Sequence, residues 1–297
     1  MPKLIPLLQG SKEWLAWRKW KIGASMSSAV MGISPWQTPT QLWESIVLDT
    51  SLEKNFAMER GSRLEKDSLR LHNKSHEFCG DFLPACFEHS TIPWMIASMD
   101  GAIVYAPGVM NGQCSVIAAI EIKAPGKEAH SMALNGIIPP YYYPQVQHQM
   151  VVCDLQKMDY ISFDGVENVV VTVLRDDEYI TKQLMPKLAT FYQSLIDFKP
   201  PEPGDKDLIE ITNLDALKMA REYSEITHNI EELQKVQERL KEQICGYATH
   251  GRCKIGDLRV TKVMRRGNLD YQKFLKDKDL KVPDSYRKEN SVSWRIA

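Results

Sequence analysis

The sequence predicts an α/β fold: a mixed central β-sheet flanked by helices, followed by a C-terminal lobe of one long helix and a small β-hairpin. Helix-period and strand-period segments interleave over the first 198 residues, an order that suits a mixed sheet with helices packed on it. Lys199-Pro200-Pro201-Glu202-Pro203-Gly204-Asp205 then forms a stretch that no helix or central strand can cross. Beyond it, apolar residues recur at alternating spacings of three and four with no Gly or Pro between them. The expected boundaries are 1–199 for the first domain, 200–206 for the linker and 207–297 for the C-terminal extension.

Taken in order, helices are expected near 11–20, 26–31, 40–50 and 57–74. In the last of these Met58, Leu64, Leu69 and Leu71 give the apolar stripe. Gly61 and Glu65 are four residues apart and share a face, so another backbone could approach at the glycine. Strands are expected near 93–105 and 115–123. A helix near 140–153 has Pro144 close to its first turn, where a missing N–H costs little. Strands near 157–163 and 168–174 and a helix over about 176–197 complete the domain.

After the linker, Ala216, Met219, Tyr223, Ile226, Ile230, Leu233, Gln237, Leu240, Ile244 and Tyr247 form a heptad pattern. It predicts one long helix, or two if Thr227-His228-Asn229 bends, ending at Gly246 and Gly251. Gln237 in a core slot suggests a partner face or a register device, although packing back on the chain's own core is the commoner outcome. Lys254-Ile255-Gly256-Asp257-Leu258 reads as a hairpin turn. Its second strand is expected over 260–263, ahead of a basic tail that includes Trp294.

At 297 residues, 43% hydrophobic and 25% charged, the chain has the composition of an ordinary globular protein. No apolar run approaches the roughly 20 residues that span a bilayer, and the N-terminal segment lacks a signal-peptide layout, so no membrane partner and a cytoplasmic location are expected. The six cysteines contain no C-x-x-C pair, so neither a zinc ribbon nor a disulfide framework is indicated, and the pattern weighs against a clustered iron–sulfur site. A Walker lysine loop is absent, so no nucleotide cofactor is expected. Net charge is -1, yet residues 252–297 hold thirteen Lys and Arg against six Asp and Glu. A basic C-terminal lobe of this kind either meets DNA phosphates or is a solvated surface.

Chemistry concentrates in Ser98-Met99-Asp100-Gly101 and Ile120-Glu121-Ile122-Lys123. An acidic pair with a lysine two residues beyond the second acid is a minimal kit for metal-assisted phosphodiester hydrolysis. Mg²⁺ prefers carboxylate, carbonyl and water oxygens, which Asp100 and Glu121 can supply while Lys123 orients or deprotonates the attacking water. On a strand, Glu121 and Lys123 share one face and Ile120 and Ile122 the other. Such a pattern also arises as a surface ion pair at a strand edge. Glu65 is a third candidate ligand, and the glutamines after Pro144 can reach a phosphate or the lysine. His148 is expected on the helix surface or supporting the site. Trp14, Trp17, Trp20, Trp36 and Trp43 could stack bases but are expected mostly in the core.

These motifs, with Trp17-Arg18, Ile22-Gly23-Ala24-Ser25, Gly61-x-x-x-Glu65, Glu121-Ile122-Lys123-Ala124-Pro125 and Gln145-Val146-Gln147, resemble the PD-(D/E)xK nucleases. Within that superfamily the likeness is to the phage recombination exonucleases of the lambda exonuclease and YqaJ-like group, over roughly 11–198. Met99 departs from the proline often found there, at a position that shapes the loop. The resemblance implies a restriction-endonuclease-like core in which Glu65, Asp100, Glu121 and the Ile122 carbonyl bind Mg²⁺, with Mn²⁺ able to substitute and two ions per site. It implies that Lys123 positions the water, supported by Gln145, and that Arg18, Ser25 and Ser98 anchor a 5′ phosphate. Ser25 or Ser28 capping the 28–31 helix, and Arg18 as a solvated helix residue, are the simpler alternatives for those positions.

The activity so implied is 5′-to-3′ digestion of one strand at double-stranded DNA ends, leaving 3′ single strands for recombination. A single-strand annealing partner and a homo-oligomer, a ring-shaped trimer by resemblance, are implied with it. A restriction-like or structure-specific endonuclease on the same core remains open, as does an inactive DNA-binding or assembly module.

Overall fold

The computed structural model describes residues 1–50, 56–75, 80–105, 113–208, 210–264, 267, 270–278, 280, 282 and 286. Met58 of the expected apolar stripe, Cys79 and Trp294 lie outside the described side chains. Two units separate at Met1–Glu210 and Ile211–Ala297.

The first unit is built on a sheet of β1 (Lys3–Ile5), β2 (Ile22–Gly23), β3 (Leu83–Glu88), β4 (Met95–Tyr105), β5 (Ser115–Lys123), β6 (Lys157–Phe163) and β7 (Asn168–Leu174). The strand order is β1-β3-β4-β5-β6-β7, with β2 paired to β4. β5 and β6 run parallel, as do β2 and β4, and the other pairs are antiparallel. The sheet is therefore mixed, as predicted. β1, β2 and β3 were not expected from sequence: two are three residues or shorter, and β3 carries Pro84 and no clean alternation.

Helices α1 (Lys12–Arg18), α2 (Ser27–Val30), α3 (Pro39–Val47) and α4 (Phe56–Asn73) precede the central strands. Ser11 caps α1 by accepting from Trp14 N, and Thr38 with Gln41 closes a capping box on α3. α5 (Lys127–Leu134), absent from the sequence reading, and α6 (Tyr143–Cys153) follow β5. The domain ends on α7 (Asp177–Tyr179), a π turn at Ile180–Leu184 and α8 (Met185–Ile196), with Pro at the start of α8.

Alternation on β5 decides which helix meets which face. Ile120 and Ile122 are fully buried with Phe82 and Ile161, against Leu69 of α4. Glu121 points the other way, toward α6, where nine of eleven residues are buried. α6 packs against β4 and α2. Gly61 has nothing near the position a Cβ would take, so the close backbone approach expected there is not used.

In the second unit α9 (Leu214–Gly246) is one continuous 33-residue helix with Asn213 as its N-cap, unbent at Thr227-His228-Asn229. None of its described residues is buried within this unit. β8 (Arg252–Ile255) and β9 (Leu258–Thr261) form the hairpin, with Gly256 at φ +58° in the turn; β9 begins two residues before the expected strand. α10 (Tyr271–Asp277) follows. Among the described residues no helix is long and apolar enough to cross a membrane.

Gly101 sits where β4 and β5 are tightest. A Cβ there would stand 2.8 and 2.9 Å from Ile120 Cγ1 and Cδ1 and 2.9 Å from Phe82 Cβ. Both neighbours are core residues without room to retreat. Gly101→Ala is therefore expected to destabilise the protein by about 1–3 kcal/mol, read as a lower urea midpoint.

Candidate active site

Pairing of β4 with β5 ends at Gly101↔Ile120. Beyond that point the Ile122 N–H donates to Asp100 Oδ2 at 2.8 Å, in place of a main-chain carbonyl on β4. The two strands part there, and Asp100, Glu121 and Lys123 line the opening. Met99 is buried within β4, and its carbonyl accepts from Gln9 Nε2 at 2.8 Å.

Glu121 is 1% exposed. Its Oε1 accepts from Lys123 Nζ and from Gln145 Nε2, and its Oε2 from Gln149 Nε2 at 2.6 Å. Gln145 and Gln149 are one turn apart on α6, which puts both amides on the same carboxylate. Gln149 was not singled out from sequence; its i+4 spacing from Gln145 was the available signal. Its Nε2 also lies 3.5 Å from Ser98 O, while its Oε1 is buried without a hydrogen-bond partner among the described residues.

Glu65, on α4, accepts no hydrogen bond among the described residues. Burial and the nearby Glu121 raise its pKa, against the pull of Lys123. Asp100 is raised further, by burial first and then by repulsion from Glu121 and Glu65. Burial alone would push Lys123 down, yet Glu121, Asp100 and Glu65 together outweigh it and hold the ammonium charged. As arranged, Lys123 is a charged donor rather than a base.

Three carboxylates facing one ammonium leave excess negative charge that a divalent cation would offset, and raised carboxylate pKa values are what such crowding produces. Gln149 Oε1 is an orphaned acceptor of the kind a metal-bound water satisfies. Among the described residues no three His, Cys, Asp or Glu side chains form a ready cage. Carboxylates are the donor type that a hard divalent ion takes together with its own waters.

Of the expected phosphate-anchor residues, Arg18 and Ser98 are joined through Trp14, while no contact joins Ser25 to either among the described residues. Arg18 stacks on Trp14 at 4.2 Å, and Trp14 Nε1 donates to Ser98 Oγ at 3.1 Å. Arg18 Nη2 would stand 3.2 Å from a Cβ at Gly23, so the glycine makes room for the guanidinium. Ser25 is exposed on the 3₁₀ turn Ala24–Met26. Arg18 is half-buried, not solvated, and no carboxylate pairs with it among the described residues. Burial lowers its pKa. Neither Ser25 nor Ser28 caps α2.

Two expectations need correction. Of the five N-terminal tryptophans Trp43 packs against the core, Trp14 and Trp17 are half-buried, and Trp20 and Trp36 are exposed, Trp36 at 67%. His148 is neither on the helix surface nor at the ligand cluster: it is fully buried, 2.8 Å from Ser27 Oγ through Nδ1 and 3.1 Å from Ile96 O through Nε2. Those partners define a neutral ring that donates from Nε2.

Residues 13–156 match the YqaJ-like viral recombinase domain. The fold is similar to that of an alkaline exonuclease (LHK-Exo) from Laribacter hongkongensis, at 25% sequence identity and a TM-score of 0.50, over 63% of this chain and 94% of that one. LHK-Exo in complex with dAMP aligns over the same shares at 25% identity, with a TM-score of 0.51. No curated protein matches the sequence. Fold and site together define the class: this protein is a nuclease. More particularly, residues 13–156 are similar to the YqaJ-like viral recombinase domain, on a fold similar to that of an alkaline exonuclease.

Burial holds the His148 pKa down at about 3, against an ordinary 6.5. Below pH 6.5 the unfolded chain takes up a proton that the folded chain refuses. Stability from this group is therefore intact above 6.5 and falls toward pH 3 by about 1.4 kcal/mol per pH unit. Urea midpoints between pH 7 and pH 4.5 are expected to decline less steeply in His148→Gln than in the parent.

Proposed function

We propose that this chain is a Mg²⁺-dependent exonuclease that digests the 5′-ended strand of duplex DNA and leaves a 3′ single strand for phage-type recombination with a single-strand annealing protein. The observation that carries the reading is a continuous chain of contacts. Lys123 and Glu121 connect through Gln149 to the Ser98 carbonyl, and the Ser98 hydroxyl connects through Trp14 to Arg18, which has no acidic partner among the described residues. The candidate hydrolytic cluster and the guanidinium are thus linked through one strand residue.

In this reading Glu65, Asp100, Glu121 and the Ile122 carbonyl hold Mg²⁺, which supplies a polarised water and charge compensation at the phosphate. Lys123 donates to that water or to the developing negative charge on the phosphate. Gln145 and Gln149 fix both oxygens of Glu121, so the carboxylate cannot rotate away when the ammonium turns to substrate. Arg18 takes the 5′ phosphate as a planar fork, with Ser98 and Ser25 as hydroxyl donors, and that end-dependence separates an exonuclease from an endonuclease.

Lys123→Ala is expected to lower cleavage of linear duplex by about 100-fold or more, and chelation with EDTA to abolish it in the parent. Strand-specific end labels should show stepwise loss of the 5′-ended strand. Cutting of closed circles would select the endonuclease, and cleavage independent of Lys123 would overturn the site assignment.

Arg18→Ala is expected to erase the preference for 5′-phosphorylated over 5′-hydroxyl ends, mainly by raising KM. A preference that survives the substitution would remove Arg18 from the anchor.

A further inference from the structure

Beside the hydrolytic cluster an aromatic series reaches the surface. Lys123 Nζ lies 5.9 Å from the ring centre of Tyr142, which lies 4.5 Å from Tyr141. Trp36 meets both, edge-on to Tyr141 at 5.2 Å and tilted to Tyr142 at 6.0 Å. Trp36 thus stands two ring contacts from the lysine, and it is 67% exposed.

This indole does not sit on a loose loop. Ser34, itself buried, accepts from Trp36 N at 3.2 Å and Gln37 N at 3.3 Å through its Oγ, and Ser34 N donates to Ser28 O at 3.0 Å. The turn is tied to α2, and Tyr141 and Tyr142 hold the ring from behind. A rigid indole presented this way gives up the burial that Trp usually finds. Its other flank borders a hollow of about 300 Å³ lined by Gln37, Gln41, Glu44 and Leu48 among others. Among the described residues no Lys or Arg lines that hollow, and the Glu44 carboxylate there favours an uncharged ring over a phosphate.

The geometry points to Trp36, backed by Tyr141, as a stacking platform for a nucleobase of the DNA end. This rests on the nuclease reading, which puts the scissile phosphate beside Lys123. One sugar separates a phosphate from its base, so a phosphate at the lysine brings bases over the surface next to Tyr142. Because every base offers a π face, the platform grips a duplex end without selecting sequence. It is distinct from Trp14, which is occupied by Arg18.

The test uses the full chain with Lys123→Ala, so that DNA binds uncut, and 5′-phosphorylated duplexes carrying 2-aminopurine at one of the first three positions of either strand. Quenching of 2-aminopurine at one position is expected, lost in Trp36→Ala and retained in Trp36→Phe. Affinity should fall about 5- to 100-fold in the alanine variant, with an unchanged melting temperature. With Lys123 restored, Trp36→Ala should slow digestion of duplex ends. Equal quenching, affinity and digestion with and without the indole would overturn the platform. Since stacking is read in binding and hydrolysis in Lys123-dependent cleavage, failure of either reading leaves the other measurable.

Discussion

A carboxylate only 1% exposed must be compensated where it lies, because water does not reach it, and Glu121 is compensated from two elements. Lys123 arrives from the same strand two residues on; Gln145 and Gln149 arrive from α6. Removing any partner would leave part of a buried charge unpaired. The position of α6 against the sheet and the rotamer of the lysine are both tied to this one group.

The electrostatic consequences extend from there. Burial first, and then mutual repulsion with Glu121, raises Glu65 and Asp100, while the three acids together keep Lys123 charged against its burial. Arg18, by contrast, is left without a carboxylate, stacked on Trp14 where desolvation is lessened by the ring face. The acidic cluster and the guanidinium are separated by Trp14, which stacks on Arg18 and donates to Ser98 Oγ.

The second unit follows a different logic. α9 satisfies its backbone hydrogen bonds internally and carries charged pairs such as Lys235 with Glu232 and Lys241 with Glu238 on its surface. Its stripe stays about half exposed, with Ile226 at 51% and Ile230 at 49%. The helix is therefore specified by local periodicity, not by a core of its own.

By itself the sequence determined what depends on local pattern. β5, β6 and β7 and the helix at α9 follow from alternation and heptad spacing, and the Glu121/Lys123 face follows from the two-residue period of a strand. The acids and the lysine were legible because their spacing is itself the chemistry. Tertiary structure decided what depends on distant neighbours: β2 and β3 exist because β4 offers them a hydrogen-bonding edge, β1 because β3 does, and α5 because β6 and β7 give it a surface. His148 became a core residue only when Ser27 and Ile96 met its two nitrogens. Gln149 entered the site because α6 delivers it to Glu121, and Trp36 stayed outside the core because its turn is fixed at the surface. Periodicity along a chain says which face a residue takes; only the packing of non-adjacent elements says what that face meets.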